Sequence, residues 1–470
     1  MGKFGKNLAE MIGKSEKNPQ LNVFKVPLVS IINMNHELVE LSRRIDWKSV
    51  EKDFEEYYHY TGRPAVPVRK MVGSMLLKQM YNLSDESYAA RWIENPYWQY
   101  FCGETYFQFD KPFDPSEFVH FRKRIGASGA EKLLKLSLSL FSAQEVNEKE
   151  VLIDTTVQEK NITFPTDTKL HKKIIERCWK IAEKEGIILR QSYARVLGQL
   201  MIDQRHRDHP KRRKKAMAAA RKIKTIAGRL VRDIERSLDD KDRLDLYDEM
   251  LWLYYRVLGQ KRDSKNKLYS FHEPHVQCIS KGKDHKKYEF GNKSGLVITK
   301  TSGIIVGALA FEGNPYDGHT LEPQLQQVED ILGVLPKTAL VERGYKGAKK
   351  VLGVEIKRPE SGKGKTPYEK SRDRKRFRRR AAIEPIIGHL KSDYRMLRNY
   401  LKGAEGDKIN TIMAATAFNL MKKLMGIRKA ILFVFNQILG FPLPDYILLP
   451  IYQKNGFLRL DYLVKVENGK

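Results

Sequence analysis

One run of strand-forming sequence, KEVLIDTTVQEKNITFP from Lys149, is followed by a long helical and basic stretch, residues 168–262, before strands resume. They return at KLYSFHEPHVQCISKG, YEFGNKSGLVITKTSG, IIVGALAFEG and PKTALVERGYKG. The second and third of these alternate, carry Val and Ile, and are punctuated by glycine, which predicts hairpins. A sheet whose first strand is parted from the rest by helices is a mixed α/β domain split by an insertion.

The segment before this strand reads differently. VPVRKMVGSMLLKQMYN, LSDESYAARWIENPYWQYFCG and FDPSEFVHFRKRIG have apolar residues at helical spacing, and the last opens with an Asp-Pro-Ser start signal. His120, Arg122, Lys123 and Arg124 crowd together there, as a helix-turn-helix DNA reader would place them. The net charge of +29 on 470 residues calls for a polyanionic partner, nucleic acid before an anionic membrane. The run RHRDHPKRRKKAMAAARKIK inside the insertion offers Lys211, Arg212, Arg213 and Lys214 for tracking phosphates. Its plainer reading is a solvated helix face.

Cys102, Cys178 and Cys278 stand too far apart for a metal motif or a disulfide framework, which fits a reducing compartment. The basic N-terminus has no apolar signal core, so export is not expected. The apolar run from Ala430 to Tyr452 is broken by Asn436, Gln437, Pro442, Pro444 and Asp445, which favours a buried helix or a subunit contact over a membrane span.

Three acids stand out by position. Asp154 lies inside the first strand, Glu342 ends the last, and Glu384 follows the basic segment 359–380, which reads as a loop. Carboxylates from two strands and a helix can share one pocket, and Mg2+ takes such hard oxygen ligands. Two such ions can activate water and stabilise the leaving oxygen in phosphodiester cleavage. A lone Asp in a strand is also a common cap or turn former, and Glu is mostly a surface residue. No G-x-x-x-x-G-K-[ST] loop is present, so ATP use is unsupported. Asp317 is placed to cap the helix predicted after NPYDGHTL, and is a fallback second metal ligand.

Taken in order, these blocks resemble the bacterial insertion-sequence DDE transposases, in the broad four/five group, from about residue 40 to residue 425. VPVRKMVGSMLLKQMYNLSDE, ENPYWQYFCGE and FDPSEFVHFRKRIG are similar to that group's helical domain. LIDTTVQEKNI resembles the segment carrying its first catalytic aspartate, here Asp154, and RRRAAIEPIIGHLKSDYRM the block carrying its final glutamate, here Glu384. YSFHEP, KGKDHKKYEFGNK and GNPYDGHTL resemble the blocks between. The resemblance implies a ribonuclease-H-like mixed sheet with a helical insertion, behind an all-α DNA-binding domain. It implies Asp154, Glu342 and Glu384 as catalytic metal ligands for Mg2+ (or Mn2+). It also implies double-stranded DNA as partner, at inverted-repeat ends and target, and a homodimer or larger assembly in the cytoplasm at the nucleoid.

The family signature of Tyr, Arg, Glu and Lys matches Phe377, Arg380, Glu384 and Lys391 here. At about 100° per residue these share a helical stripe, apart from the apolar Ile383, Ile387 and Leu390. Arg380 and Lys391, with Arg343 of VERGYKG, would then hold DNA phosphates. Pro385 requires the helix to start near Glu384 or to bend there. Two departures stand out. Phe377 lacks the family hydroxyl, and Glu342 stands where the family has Asp. The longer side chain shifts its carboxylate, so the chain is either an active variant or a weakened copy serving as a DNA-binding protein. A nuclease that does not rejoin ends is a further alternative. The expected domains are 1–148, helical and DNA-binding; 149–167 with 263–425, catalytic; 168–262, the basic insertion; and 426–470, an apolar extension.

Overall fold

The computed structural model describes residues 25–58, 65–238, 241–261, 263–280, 287–359 and 366–439. The first part is helical: α1 (Leu28–Ile31), α2 (Glu37–Arg44), α3 (Trp47–Phe54), α4 (Val68–Met80), α5 (Asp85–Trp92), α6 (Pro96–Phe101), α7 (Ser116–Ser139) and α8 (Ala143–Val146). Asp46, Ser84 and Asn95 open α3, α5 and α6, each accepting from the backbone N–H three residues on. Helix α4 is buried along most of its length, its Ser74, Lys78 and Gln79 included.

Strand β1 (Glu150–Lys160) is as expected, and the insertion folds as α9 (Asp167–Glu185), α10 (Ala194–Asp203), α11 (Arg213–Ser237) and α12 (Lys241–Gly259). The sheet resumes with β2 (Gln277–Ser280), β3 (Tyr288–Thr299) and β4 (Ile305–Phe311). After α13 (Leu321–Leu332) come β5 (Thr338–Leu340), β6 (Lys350–Val351), β7 (Val354–Lys357), α14 (Pro367–Arg378), α15 (Ile383–Asp393), β8 (Arg398–Asn399) and α16 (Gly403–Leu439).

Among the described residues these strands form one eight-stranded mixed sheet in the order β2-β3-β1-β5-β7-β6, with β4 also on β3 and β8 also on β1. Strands β1, β3 and β4 are antiparallel neighbours, while β5 runs parallel to β1 and β7 parallel to β5. The first strand therefore pairs across the insertion with strands more than a hundred residues away.

Among the described residues two apolar cores result. The insertion has its own, built from Ile174, Cys178, Ile223, Ile226, Leu230 and Tyr254 among others. The N-terminal helices do not enclose a separate core: theirs runs unbroken from Leu38 through the sheet to Ile427. Helix α16 joins them, packing on α7, α4, α2 and β4.

Two local expectations are corrected. Segment 359–380 is not all loop: α14 covers Pro367–Arg378, opened by a capping box in which Thr366 and Glu369 satisfy each other's backbone N–H groups. Asp317 does not cap α13. It begins a 3-10 turn, Asp317–Thr320, and its carboxylate is turned toward Thr155 and Lys293. Helix α15 ends at Asp393, and Arg398–Asn399 pair with β1. The β6–β7 hairpin was not anticipated; Leu352 and Gly353, both with positive φ, form its turn. Helix α15 starts at Ile383, so Pro385 falls in its first turn, where no intrahelical N–H bond is lost. Within the apolar run 430–452, residues up to Leu439 continue α16 and the remainder lies outside the described residues. Among the described residues no helix is long and apolar enough to cross a membrane.

Candidate active site

The site forms where β5 ends beside β1. Leu152 and Leu340 are register partners in these parallel strands. Asp154 and Glu342 each lie two residues further on and therefore share a face of the sheet. The chain leaves β5 there, at the carboxyl end of a parallel pair, the usual place for a ligand in α/β sheets. Asp154 is buried, whereas Glu342 and Glu384 are more open, with 47% and 67% of their side chains exposed.

Arg380 joins these three acids. Its Nη1 lies 3.5 Å from Asp154 Oδ2, and its Nη2 lies 2.7 Å from Glu342 Oε1 and 3.8 Å from Glu384 Oε1. A 3-10 turn, Arg379–Ala382, between α14 and α15 delivers it. The four signature positions thus do not sit on one continuous helix. Phe377 packs against the main core, Arg380 turns to the carboxylates, Glu384 opens α15, and Lys391 is half-buried nearer its end.

A second layer surrounds the three acids. Thr155 Oγ1 donates to Asp317 Oδ1 at 2.8 Å, and Lys293 Nζ approaches the same oxygen at 2.9 Å. Tyr316 donates to the Gly344 carbonyl and accepts from the Lys346 N–H at 2.7 Å, tying the Asp317 turn to the turn that carries Glu342. Gly318 makes this approach possible, because a Cβ there would stand 2.7 Å from the Lys346 carbonyl oxygen. Tyr345 is buried beneath. Burial first, and then the negative charge of Asp154, push its hydroxyl far above the ordinary phenol range. Sequence reading named Asp317 but missed Thr155, Lys293, Tyr316 and Tyr345. Adjacency to Asp154 and Glu342 was the available signal for Thr155 and Tyr345; Lys293 and Tyr316 needed the sheet register.

Three carboxylates against one guanidinium leave two negative charges in a chain that is otherwise strongly basic. An all-oxygen set with that deficit suits a hard divalent cation. Among the described residues no three His, Cys, Asp or Glu side chains are arranged as a ready metal cluster, because the carboxylates meet on Arg380.

The expected phosphate-binding residues fall into two groups. Lys211, Arg212, Arg213 and Lys214 are exposed at the start of α11, and Arg343, Lys123 and Arg124 are exposed too. Arg122 is not: it is buried, and both its terminal nitrogens donate to Asp85, at 3.0 and 2.6 Å. That pairing takes it away from any DNA surface.

Two family models match the chain: Transposase domain (DUF772) over residues 26–124 and Transposase DDE domain over residues 267–420. The second span carries Glu342 and Glu384, while Asp154 lies before the insertion and outside it. The chain is also 42% identical over 192 residues to the "Uncharacterized protein ORF8 in nfe locus" of Rhizobium meliloti, covering 40% of this chain and 93% of that protein. No solved structure matches. The helical front and the split mixed sheet are thus those of a transposase. The chain belongs to the insertion-sequence DDE transposases, a family of DNA-cleaving and strand-transferring enzymes.

Proposed function

We propose that this chain cuts the inverted-repeat ends of an insertion sequence of the four/five group and transfers the freed 3′ ends to target DNA. The convergence of Asp154, Glu342 and Glu384 on one guanidinium carries the reading. The strand order supports a ribonuclease-H-like sheet: an antiparallel β4-β3-β1 meander followed by parallel β5 and β7.

Asp154, Glu342 and Glu384 would hold Mg2+, with Mn2+ able to replace it. When bound, the pair of ions lowers the pKa of the attacking water and stabilises the departing oxygen. The chain's own residues do the rest. Asp154 is fixed in a central strand, its Oδ1 accepting from the Thr155 N–H at 2.8 Å, so that its carboxylate stays in one place. Arg380 moves from the carboxylates to the phosphate as DNA enters, exchanging one anion for another. Water attacks the phosphorus at the element end, the P–O3′ bond breaks, and a 3′-hydroxyl and a 5′-phosphate result. That hydroxyl then loses its proton, attacks a target phosphodiester and displaces a target 3′-hydroxyl. Lys391 and Arg343 would hold neighbouring phosphates, and Lys211–Lys214, with Lys123 and Arg124, would steer the duplex at longer range. Joining two ends in one event requires at least two copies of the chain, acting on DNA in the cytoplasm.

The test uses purified protein, Mg2+ or Mn2+, and labelled duplex carrying the inverted repeats that flank its gene. Cleavage by wild type and none by Asp154→Ala is the expected result. Cleavage by Glu342→Asp alone would mark a weakened copy. Silence from all three would overturn the catalytic reading.

A further inference from the structure

Beside the carboxylates lies a shallow concavity of about 500 Å³ that the sequence did not suggest. Its lining is Glu150, Lys300, Thr301, Arg372, Lys375, Arg376 and Arg379. Five cations thus surround one carboxylate. The floor is the start of β1 and the β3–β4 turn; one wall is α14, which presents Arg372 and Arg376 one helical turn apart, with Arg379 following in the 3-10 turn at its end.

The concavity is built rather than incidental. Glu150 pairs with both Lys300 and Arg376. Arg379 donates to the carbonyls of Lys300 and Thr301, at 3.0 and 2.9 Å. Glu148 holds the same turn through the backbone N–H groups of Thr301 and Ser302, at 2.7 and 2.6 Å. Burial, and then the charge of Arg379, lower the pKa of Lys422 on the adjoining helix α16. Arg379 and Arg380 are consecutive, one turned into this concavity and the other to the carboxylates. Glu150 precedes Asp154 by four residues on the same strand, about 13 Å.

We infer that this concavity is a phosphate-backbone subsite, in which Arg372, Lys375, Arg376 and Arg379 hold the DNA strand one step beyond the carboxylates, with Glu150 as the counter-ion that strand displaces. The inference rests on the transposase reading above and adds the place where the strand runs. Guanidiniums pre-set by Glu150 and by backbone carbonyls lose little freedom on meeting phosphate, which favours a defined track over loose surface attraction. Exchange of Glu150 for phosphate also makes the subsite selective for a strand dense enough in charge to compete.

The experiment measures binding of the full chain to a labelled duplex in EDTA, at salt from about 50 to 200 mM, for wild type, Arg372→Gln/Lys375→Gln and Glu150→Gln. Arg372 and Lys375 are both exposed, so the double variant leaves the Glu150 pairs standing. Thermal melting checks that each variant folds. Each lost phosphate contact flattens the salt slope by about 0.9, so the double variant's slope falls by about 1.8 and its deficit changes about tenfold over that salt range. Glu150→Gln moves the other way and binds more tightly, because a competing anion is gone. Both shifts are required. If wild type binds DNA and either shift is missing, the subsite is overturned and the transposase reading stands. If wild type binds no DNA, both fall.

Discussion

Arg380 donates from Nη2 to the Glu342 carboxylate at 2.7 Å, the shortest of the contacts by which it also reaches Asp154 and Glu384. A single cation therefore sits among the three acids that the family reading assigns to metal. Replacing it with alanine removes a competitor for those oxygens. We expect Arg380→Ala to bind Mn2+ about tenfold more tightly without DNA, by about 1.4 kcal/mol, as read by electron paramagnetic resonance titration. Unchanged or weaker Mn2+ binding would show that the guanidinium does not compete. DNA cleavage by the same variant should fall, since the phosphate then lacks its guanidinium partner.

The buried Arg122–Asp85–Lys78 cluster sets a second expectation, this one about stability. Asp85 lies 2.6 Å from Arg122 and 2.7 Å from Lys78, in the core that the N-terminal helices share with the sheet. Asp85→Asn leaves two buried cations against a neutral amide and should cost about 3–5 kcal/mol in chemical unfolding. Burial raises the Asp85 pKa, but the hydrogen bond from Arg122 and the charge of Lys78 prevail and hold it at about 2. This is below the unfolded value of about 3.9, so the stabilisation is complete above that pH. It is lost as pH falls from about 4 through 2, and the gap between wild type and Asp85→Asn should narrow over that window. A gap independent of pH would refute the pairing.

The split sheet was legible because strand and helix periods differ, and the β-branched run of β1 stands apart from the helical stretches on either side. Asp154 stands within that strand, whereas Glu342, expected at a strand end, lies two residues past the end of β5. Helix α14 was hidden by charge. Its sequence carries almost no apolar face, yet the capping box at Thr366 and Glu369, with Pro367 between, was readable and went unread. Arg122 shows the opposite failure. Four neighbouring basic and imidazole side chains looked like one surface, but the helix turns Arg122 inward to Asp85, more than thirty residues earlier. Asp317 likewise had a local reading as a cap, and a strand-to-loop contact with Thr155 prevailed.

Where the insertion rejoins the sheet, Lys160 at the end of β1 is buried between Glu273, at 3.3 Å, and Asp407 of α16, at 2.7 Å. His275, Asn292 and Asn399 also contact Asp407, at 3.1, 2.5 and 2.5 Å. Lys160→Met takes the one lysine from two buried carboxylates and should destabilise the chain by about 3–5 kcal/mol. Adding Glu273→Gln should cost less than the sum of the single changes, because the two residues share one network. Additive losses in a double-mutant cycle would mean that the ion pair contributes little.

The fit between the Asp317 turn and the Glu342 turn depends on Gly318. An added Cβ would stand 2.7 Å from the Lys346 carbonyl oxygen and 2.9 Å from the Tyr316 ring, and backbone cannot yield as a side-chain tip can. Gly318→Ala should therefore push the two turns apart, loosening the Tyr316 bonds to Gly344 and Lys346. Overpacking of this kind costs about 1–3 kcal/mol. The larger effect should fall on the site, because a small displacement of a metal-binding carboxylate is poorly tolerated. We expect a modest drop in melting temperature together with a several-fold loss of Mn2+ affinity, while DNA binding in EDTA stays at the wild-type level. If stability falls but Mn2+ affinity does not, the Asp317 turn supports the fold without positioning Glu342.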